Sequence, residues 1–314
     1  MNGQTNNKLP SAVVVCGPTG IGKTSFAIEL ARRFRGEIIG ADSMQLYRHM
    51  DIGTAKPTSE ERAAVKHHMV DRVDPDEHFD AEMYAHMAYA KVLEFIANKT
   101  LPFIVGGTGL YIKALIHGLF ESVKIDAHVR QQLKKEAEEL GAHLLHARLQ
   151  ACDPVAAARI HVNDTYRIVR ALEIYETTGR PMSDSQQQHQ FKPQRLQTVK
   201  IGLQMEREDL YQRIDKRVDI MLDQGLLKEV KSLMEAGYSM ELKSMKSLGY
   251  RHMAAFLNKA LDWDETVRTL KRDTRHYAKR QMTWFKADPE IVWLGLESMD
   301  EATSMVKAYI AKCR

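Results

Sequence analysis

The sequence predicts an α/β protein in which a parallel sheet forms the core and an all-helical segment interrupts it. Short apolar runs bounded by glycine, proline or polar residues recur at both ends of the chain, as buried strands do. From residue 122 onward these strand patterns disappear, and capped helical segments replace them. We therefore predict a first core segment at residues 1–121, a helical insertion at 122–197, and a second core segment with C-terminal helices at 198–314.

The first apolar run, residues 12–16, leads into a glycine-rich loop that matches the phosphate-loop pattern G-x-x-x-x-G-K-[ST] in full. The loop consists of Gly17, Pro18, Thr19, Gly20, Ile21, Gly22, Lys23 and Thr24. Glycines let backbone N–H groups curl around an anion, Lys23 and the helix N-terminus add positive charge, and Thr24 offers a hydroxyl to Mg²⁺. A glycine-rich turn without a ligand is the alternative, but the strand–loop–helix context favours a P-loop NTPase-like core that binds a diphosphate or triphosphate.

Composition and charge describe an ordinary globular protein of 314 residues, with 44% hydrophobic and 27% charged residues. The formal net charge of +4 is too small by itself to indicate a nucleic-acid partner. Three cysteines without C-x-x-C spacing argue against a disulfide framework or a zinc site. The polar N-terminus and the absence of a long apolar run predict a cytoplasmic protein with no membrane partner, and we expect a monomer.

Carboxylates and glycines follow two of the other predicted strands. These other strands lie at residues 36–41, 67–71, 101–105, 199–203 and 290–294. Asp42 ends the second strand, so a parallel sheet would place it near the ligand of Lys23, although a helix or turn cap is the alternative. The turn at residues 106–109 could contact the same ligand or could serve close packing, and the sequence favours neither.

Helix signals dominate the rest of the chain. In the insertion, Asp126, Asp153 and Asp164 are predicted N-caps, and a polar tract at residues 186–188 follows the last helix. A long amphipathic helix is predicted from residue 208 to residue 236. Arg217 lies beside its apolar stripe, so it is either a partly buried residue in need of an anion or, as periodicity alone favours, an ordinary surface arginine.

The clearest concentration of positive charge lies between residues 265 and 286. Arg268, Arg272, Arg275 and Lys279 recur at steps of four, three and four, which places them on one face of a helix. Such a stripe is often only a solvated surface, but acidic residues are scarce in this segment. The pattern therefore favours a polyanion such as nucleic acid.

The residues alone leave the phosphate chemistry open. A phosphate loop by default indicates an ATPase, a GTPase or a kinase. A nucleotide hydrolase needs a carboxylate after a strongly apolar strand, for which Asp42 is a partial substitute, and no guanine-reading N-K-x-D pattern occurs. The nucleotide assignment is therefore unsupported.

In combination, the motifs of this chain resemble the tRNA dimethylallyltransferase family. The matching stretches, which run over nearly the whole chain in this order, are residues 17–24, 42–47, 50–57, 105–111, 153–164, 248–251 and 278–285. The resemblance implies transfer of a dimethylallyl group from dimethylallyl diphosphate to the exocyclic amine of the adenine just 3′ of the anticodon, which gives isopentenyladenosine in tRNA.

The family's functional residues match positions of this sequence. The resemblance implies that Asp42, Lys23, Thr19 and Arg217 are catalytic, with Asp42 as general base and Arg217 on the diphosphate. It implies Mg²⁺ on Thr24 as the cofactor, and the anticodon stem-loop of tRNA as the partner. The implied tRNA contacts are Asp42, Ser43, Met44, Gln45, Thr108, Arg130, Tyr166, Arg167, Arg170, Ser247, Gly249, Tyr250, Arg251, Lys279 and Arg280.

Two other functions are compatible with the sequence. The first is a P-loop small-molecule kinase that uses ATP, and the second is a nucleotide-gated RNA-binding protein without covalent chemistry. Label transfer from dimethylallyl diphosphate or from ATP to tRNA would distinguish the three.

Overall fold

A computed structural model describes residues 9–119, 127–184 and 194–313. It divides the chain into two compact units, one formed by Met1–Ile116 with Arg195–Arg314 and the other by His117–Gln194. The predicted helical insertion begins and ends a few residues later than this second unit. The predicted cap Asp126 and the polar tract at residues 186–188 lie outside the described residues.

The first unit is built on a six-stranded sheet in the order β3-β2-β4-β1-β5-β6, and every pair of neighbouring strands is parallel. The strands are β1 (Ser11–Cys16), β2 (Glu37–Gly40), β3 (His67–His68), β4 (Pro102–Gly106), β5 (Gln197–Leu203) and β6 (Ile291–Leu294). The parallel α/β core that the sequence predicts is thus confirmed.

Both faces of the sheet are covered, which explains why its central strands are apolar throughout. Because side chains alternate along a strand, Val14 faces one hydrophobic core and Val13 and Val15 face the other. The helices of this unit are α1 (Lys23–Arg33), α2 (Ser59–Ala64), α3 (Ala81–Ala97), α4 (Gly109–His117, whose last residue falls in the second unit), α9 (Arg207–Asp223), α10 (Leu226–Glu235), α11 (Tyr250–Leu257), α12 (Trp263–Lys286) and α13 (Met299–Cys313).

The long helix predicted over residues 208–236 is wrong, because the chain forms two helices there, α9 and α10. Gly225 separates them with a φ of 98°, in the left-handed region that interrupts an α-helix. Leu210, Ile214 and Val218 of α9 are all buried, as expected for one face of an amphipathic helix.

The second unit contains only helices within its described residues. They are α5 (Ala127–Leu140), α6 (Ala142–Cys152), α7 (Pro154–Arg159) and α8 (Thr165–Thr178). The predicted caps Asp153 and Asp164 both accept backbone N–H groups at helix starts, and Gly179 ends α8. Leu133, Leu149 and other apolar residues of these helices form a core of their own. No helix among the described residues is long and apolar enough to span a membrane.

The ends of β2 and β4 approach each other so closely that only glycine fits at position 106. A Cβ built on Gly106 would lie 2.1 Å from the carbonyl oxygen of Ala41 and 2.4 Å from its carbonyl carbon. Both atoms are backbone of the chain segment that leads to Asp42, so they cannot move aside without shifting that residue.

Gly106→Ala is expected to lower the free energy of unfolding by about 3 kcal/mol, because the added methyl group overpacks a rigid backbone contact. Gly179→Ala is the matched control: Gly179 has a φ of 68° but open space around its Cβ position. The control should lose only the backbone term of about 1 kcal/mol. Urea unfolding followed by circular dichroism measures both, and equal losses would contradict the steric argument.

Candidate active site

The glycine-rich loop after β1 forms the floor of a cavity in the first unit. Gly20 has a φ of 81°, and a Cβ there would lie 2.9 Å from Cγ1 of Ile214, so close packing against α9 also requires glycine. Arg213 Nε, on the same helix, donates to the Gly20 carbonyl at 3.2 Å. Gly22 is the residue before α1, and Lys23 and Thr24 of the loop begin that helix, so the helix N-terminus lines the cavity.

Lys23 and Arg217 bring two positive charges to this cavity. Lys23 Nζ donates to the Pro18 carbonyl at 2.7 Å. Desolvation, followed by the like charge of Arg217, lowers the pKa of Lys23 to about 8, although Asp42 opposes the shift. Burial likewise lowers the pKa of Arg217. Both lowered pKa values mean that burial destabilises the charged forms of these side chains, and that a bound anion would stabilise them.

Arg217 is half-buried and lines the cavity, which differs from the surface arginine that periodicity favoured. It forms no hydrogen bond or ion pair with the described residues. Asp219, two residues further along α9, binds Lys271 at 2.6 Å. A half-buried guanidinium without a paired carboxylate is available for a phosphate.

Asp42 lines the same cavity, and its two carboxylate oxygens differ. Oδ1 accepts the backbone N–H groups of Met44 at 2.8 Å and Gln45 at 3.3 Å, which is the capping role considered as its alternative. Oδ2 makes no hydrogen bond to any described residue. One oxygen therefore fixes the carboxylate in place, and the other is available to accept a proton.

The turn at residues 106–109 adjoins Asp42. Thr108 Oγ1 accepts the Ser43 N–H at 3.1 Å, and the Thr108 N–H donates to the Ala41 carbonyl at 3.1 Å. Of the two explanations for its glycines, close packing applies to all three, since a Cβ at each would lie within 2.4 Å of another atom. Gly106 also lines the cavity, so contact with a ligand remains compatible with the packing.

The cavity is wider than the predicted residues alone define, with a volume of about 1170 Å³. Sequence reasoning missed Arg213 and Lys216, which line the same cavity. On α9, Arg213 lies four residues before Arg217 and three before Lys216. Their spacing was the available signal, because residues three and four apart share a helix face. It also missed Gln281, whose side chain lines the cavity and is buried on α12.

Another part of the cavity lining is a loop that Glu229 holds in place. Glu229 accepts the consecutive backbone N–H groups of Asp51, Ile52 and Gly53 at 2.9, 2.8 and 3.1 Å. The Tyr250 hydroxyl also donates to Glu229 at 2.5 Å. Lys56, whose side chain is only 3% exposed, pairs with Asp51 in the same loop. The wall is thus fixed by polar contacts, most of which are partly buried.

Several residues implied to contact tRNA are engaged within the protein. Tyr250 is fully buried, so a tRNA contact through its side chain is wrong; it supports the cavity wall through Glu229. Gln45 Nε2 donates to the carbonyls of Thr54 and Ala55, in the same wall. Arg251 is exposed but pairs with Asp273 at 2.6 Å. Ser247 is half-buried and Gly249 is buried.

In the helical unit, the implied tRNA contacts fall into two groups. Arg130 and Arg170 both bind Glu173, at 2.5 and 3.0 Å, and that carboxylate is only 1% exposed. Arg130 therefore connects α5 to α8, whereas Arg170 forms its ion pair within α8. Tyr166 is 80% exposed, and Arg167 is exposed near Asp164 at the start of α8. Tyr166 and Arg167 are the members of this set that face solvent.

The interpretation of α12 as a single stripe of free positive charge is wrong for the three arginines of the stripe, because each of them binds a carboxylate. Arg268 binds Glu265, Arg272 binds Asp273, and Arg275 binds Asp215 of α9 at 2.6 Å. Periodicity could not reveal the last pair, because Asp215 lies on another helix. Lys279 and its neighbour Arg280 are exposed and form no ion pair with described residues, so they remain available to a polyanion.

The described residues of the cavity suit a magnesium ion whose ligands come partly from the protein and partly from a phosphate. No group of three or more His, Cys, Asp or Glu side chains that could hold a metal occurs within the described residues. Mg²⁺, however, commonly binds through one or two protein oxygens together with phosphate oxygens and water. The Thr24 hydroxyl, which makes no hydrogen bond to described residues, and the Asp42 carboxylate both line the cavity.

Comparison with known proteins identifies the family. The family model described as IPP transferase matches residues 45–288. The tRNA dimethylallyltransferase of Desulfosudis oleivorans is 51% identical over 302 residues, which cover 96% of each chain, and that of Syntrophobacter fumaroxidans is 52% identical over 93% of this chain and 85% of its own.

Solved structures agree with the sequence comparison. The full-length tRNA isopentenylpyrophosphate transferase from Bacillus halodurans is 38% identical, with a TM-score of 0.72 over 97% of this chain and 98% of its own. A eukaryotic dimethylallyltransferase acting on tRNA is 27% identical, with a TM-score of 0.81 over 96% of this chain and 80% of its own. The phosphate loop, the parallel sheet and these matches together show that the chain belongs to the IPP transferase family.

Proposed function

We propose that this chain transfers a dimethylallyl group from dimethylallyl diphosphate to the exocyclic amine of the adenine 3′-adjacent to the anticodon in tRNAs. One observation carries the proposal: a phosphate loop and the carboxylate of Asp42 share one cavity. The first suits a diphosphate and the second suits a proton acceptor. Relatives that are named tRNA dimethylallyltransferases support the choice of donor and acceptor.

The diphosphate binds to the glycine-rich loop as the leaving group of the reaction. As the bond between the allylic carbon and the diphosphate oxygen breaks, negative charge develops on that oxygen. Loop N–H groups and the charges of Lys23 and Arg217 stabilise this charge, and they are already in place before the reaction begins. The lowered pKa of Lys23 is consistent with this role, because a bound diphosphate would restore its protonated form.

The Thr24 hydroxyl would hold a magnesium ion beside the diphosphate, and the Asp42 carboxylate lines the same cavity. When bound, the ion supplies additional positive charge to the phosphate oxygens. Both side chains line the cavity that also contains Lys23.

Asp42 accepts the proton that the adenine amine releases. That amine is a weak nucleophile because its lone pair is delocalised into the ring, so removal of its proton must accompany formation of the carbon–nitrogen bond. Oδ2 is the oxygen that receives the proton, since Oδ1 is held by the N–H groups of Met44 and Gln45. Thr108 contacts the substrate nucleotide beside this carboxylate.

The adenine must leave its stack in the anticodon loop to enter the cavity. Positive and aromatic side chains on the protein surface bind the RNA backbone and bases. Lys279 and Arg280 of the first unit and Tyr166 and Arg167 of the helical unit are exposed and suited to this role. The kinase alternative is not favoured, since none of the named relatives given above is a kinase.

Label transfer tests the proposed function directly. Purified protein, Mg²⁺, unmodified tRNA and labelled dimethylallyl diphosphate should yield labelled tRNA, whereas labelled ATP in a parallel reaction should not. The matched control is a tRNA transcript with guanine in place of the target adenine, which should stay unlabelled. Label only from ATP, or none from either donor, would contradict prenyl transfer.

Asp42→Asn is expected to reduce turnover by about 10²–10⁴-fold, because the amide cannot accept the proton. Asparagine keeps an Oδ1 acceptor for the Met44 and Gln45 N–H groups, so the turn and the tRNA Kd should be nearly unchanged. Asp51→Asn alters another carboxylate of the same cavity and should retain most activity. An equal loss of tRNA binding in Asp42→Asn would make Asp42 a structural residue.

Binding of inorganic diphosphate is expected to weaken as the pH rises above about 8, because the free Lys23 amine loses its charge there. The Kd, measured by isothermal titration calorimetry, should rise by up to about tenfold per pH unit above the pKa of this amine. Lys23→Met corrects for the titration of the ligand itself and should lack this component. The same pH dependence in both proteins would refute the role of Lys23.

A further inference from the structure

Gln281 of α12 connects two glycine-rich turns that are distant in the sequence. Its Oε1 accepts the Thr19 N–H at 2.8 Å, across 262 residues, and its Nε2 donates to the Gly107 carbonyl at 2.9 Å, across 174 residues. The residue is only 6% exposed. A buried amide that binds both an N–H and a carbonyl is costly to replace, because loss of either hydrogen bond leaves a buried backbone group without a partner.

The contact between α12 and the second turn is close enough to demand glycine. A Cβ on Gly107 would lie 2.3 Å from Gln281 Nε2, and a Cβ on Gly109 would lie 2.1 Å from Cδ1 of Trp284. Gln281 and Trp284 are three residues apart, so they project from the same face of the helix. The helix therefore contacts this turn through two adjacent side chains.

Each end of the Gln281 amide reaches a different part of the cavity. Thr19 belongs to the loop that binds the diphosphate. Gly107 precedes Thr108, whose hydroxyl oxygen accepts the N–H of Ser43, the residue after Asp42. One side chain thus links the diphosphate side of the cavity to the side that carries the proton acceptor.

We infer that Gln281 is a positioning residue that fixes the separation between the diphosphate loop and the Asp42–Thr108 side of the cavity. In its kinetic consequence, this inference rests on the proposed prenyl transfer. The allylic carbon and the adenine nitrogen must approach within about 3–3.5 Å in line, and an error of about 1 Å costs roughly 10²-fold in rate. Neither substrate needs to touch Gln281 for this effect.

Two variants of similar size test the inference. Gln281→Met removes both hydrogen bonds, and Gln281→Glu keeps an acceptor for Thr19 but cannot donate to Gly107 at neutral pH. We expect kcat to fall by about 10²-fold in Gln281→Met, with the separate Kd values for tRNA and for dimethylallyl diphosphate little changed. Gln281→Glu should also lose turnover. Thr269→Ala, at another buried polar position of α12, should retain kcat.

An unchanged kcat in Gln281→Met, or a loss that appears only as weaker substrate binding, would overturn the inference. Amide hydrogen exchange provides a readout that does not need turnover. Exchange at Thr19 should accelerate in Gln281→Met, but not in Gln281→Glu or Thr269→Ala, and unchanged exchange in Gln281→Met would likewise overturn it. If wild-type protein transfers no prenyl group, the proposed function fails, and exchange at Thr19 still decides whether Gln281 holds the loop.

Discussion

The parallel pairing of β2, β4 and β1 is the constraint on which the site depends. Parallel strands end at the same edge of a sheet, and these three are direct neighbours. The edge therefore receives the phosphate loop from β1, Asp42 from β2 and the glycine turn from β4. The crowding of Gly106 against Ala41 shows how tightly two of these ends are joined. A change in strand order would separate the groups that the chemistry requires together.

The positive charges at this cavity differ in whether a carboxylate balances them. Lys23 and Arg217 remain without a carboxylate partner in hydrogen-bond contact among the described residues, and desolvation lowers the pKa of both. Several other cations that line the cavity are neutralised locally, as Lys56 is by Asp51 and Arg62 by Asp71. Unbalanced positive charge is thus concentrated beside the loop. An anionic ligand gains more there than at an exposed ion pair, because less water screens the interaction.

Sequence patterns predicted the features that depend on residues close together in the chain. They did not predict contacts between residues that are far apart in it. The phosphate loop, the strands and the helix caps depend on residues that are close in sequence, so their spacing revealed them. The break at Gly225 was missed because an amphipathic pattern continues across it, although glycine offered a signal. Gln281 could not be assigned, because its partners lie 174 and 262 residues away. The pairing of Arg275 was missed for the same reason, because the carboxylate that binds it comes from α9.

The contact of Glu229 with the loop at residues 51–53 has a consequence for selectivity inside the cavity. Three consecutive N–H groups directed at one carboxylate form an anion-binding nest, the same kind of device that a phosphate loop uses. Left open, this nest would compete with the phosphate loop for a diphosphate in the same space. In this protein the carboxylate of Glu229 fills the nest, so the nest is blocked. These three N–H groups are therefore not available to a second anion beside the phosphate loop.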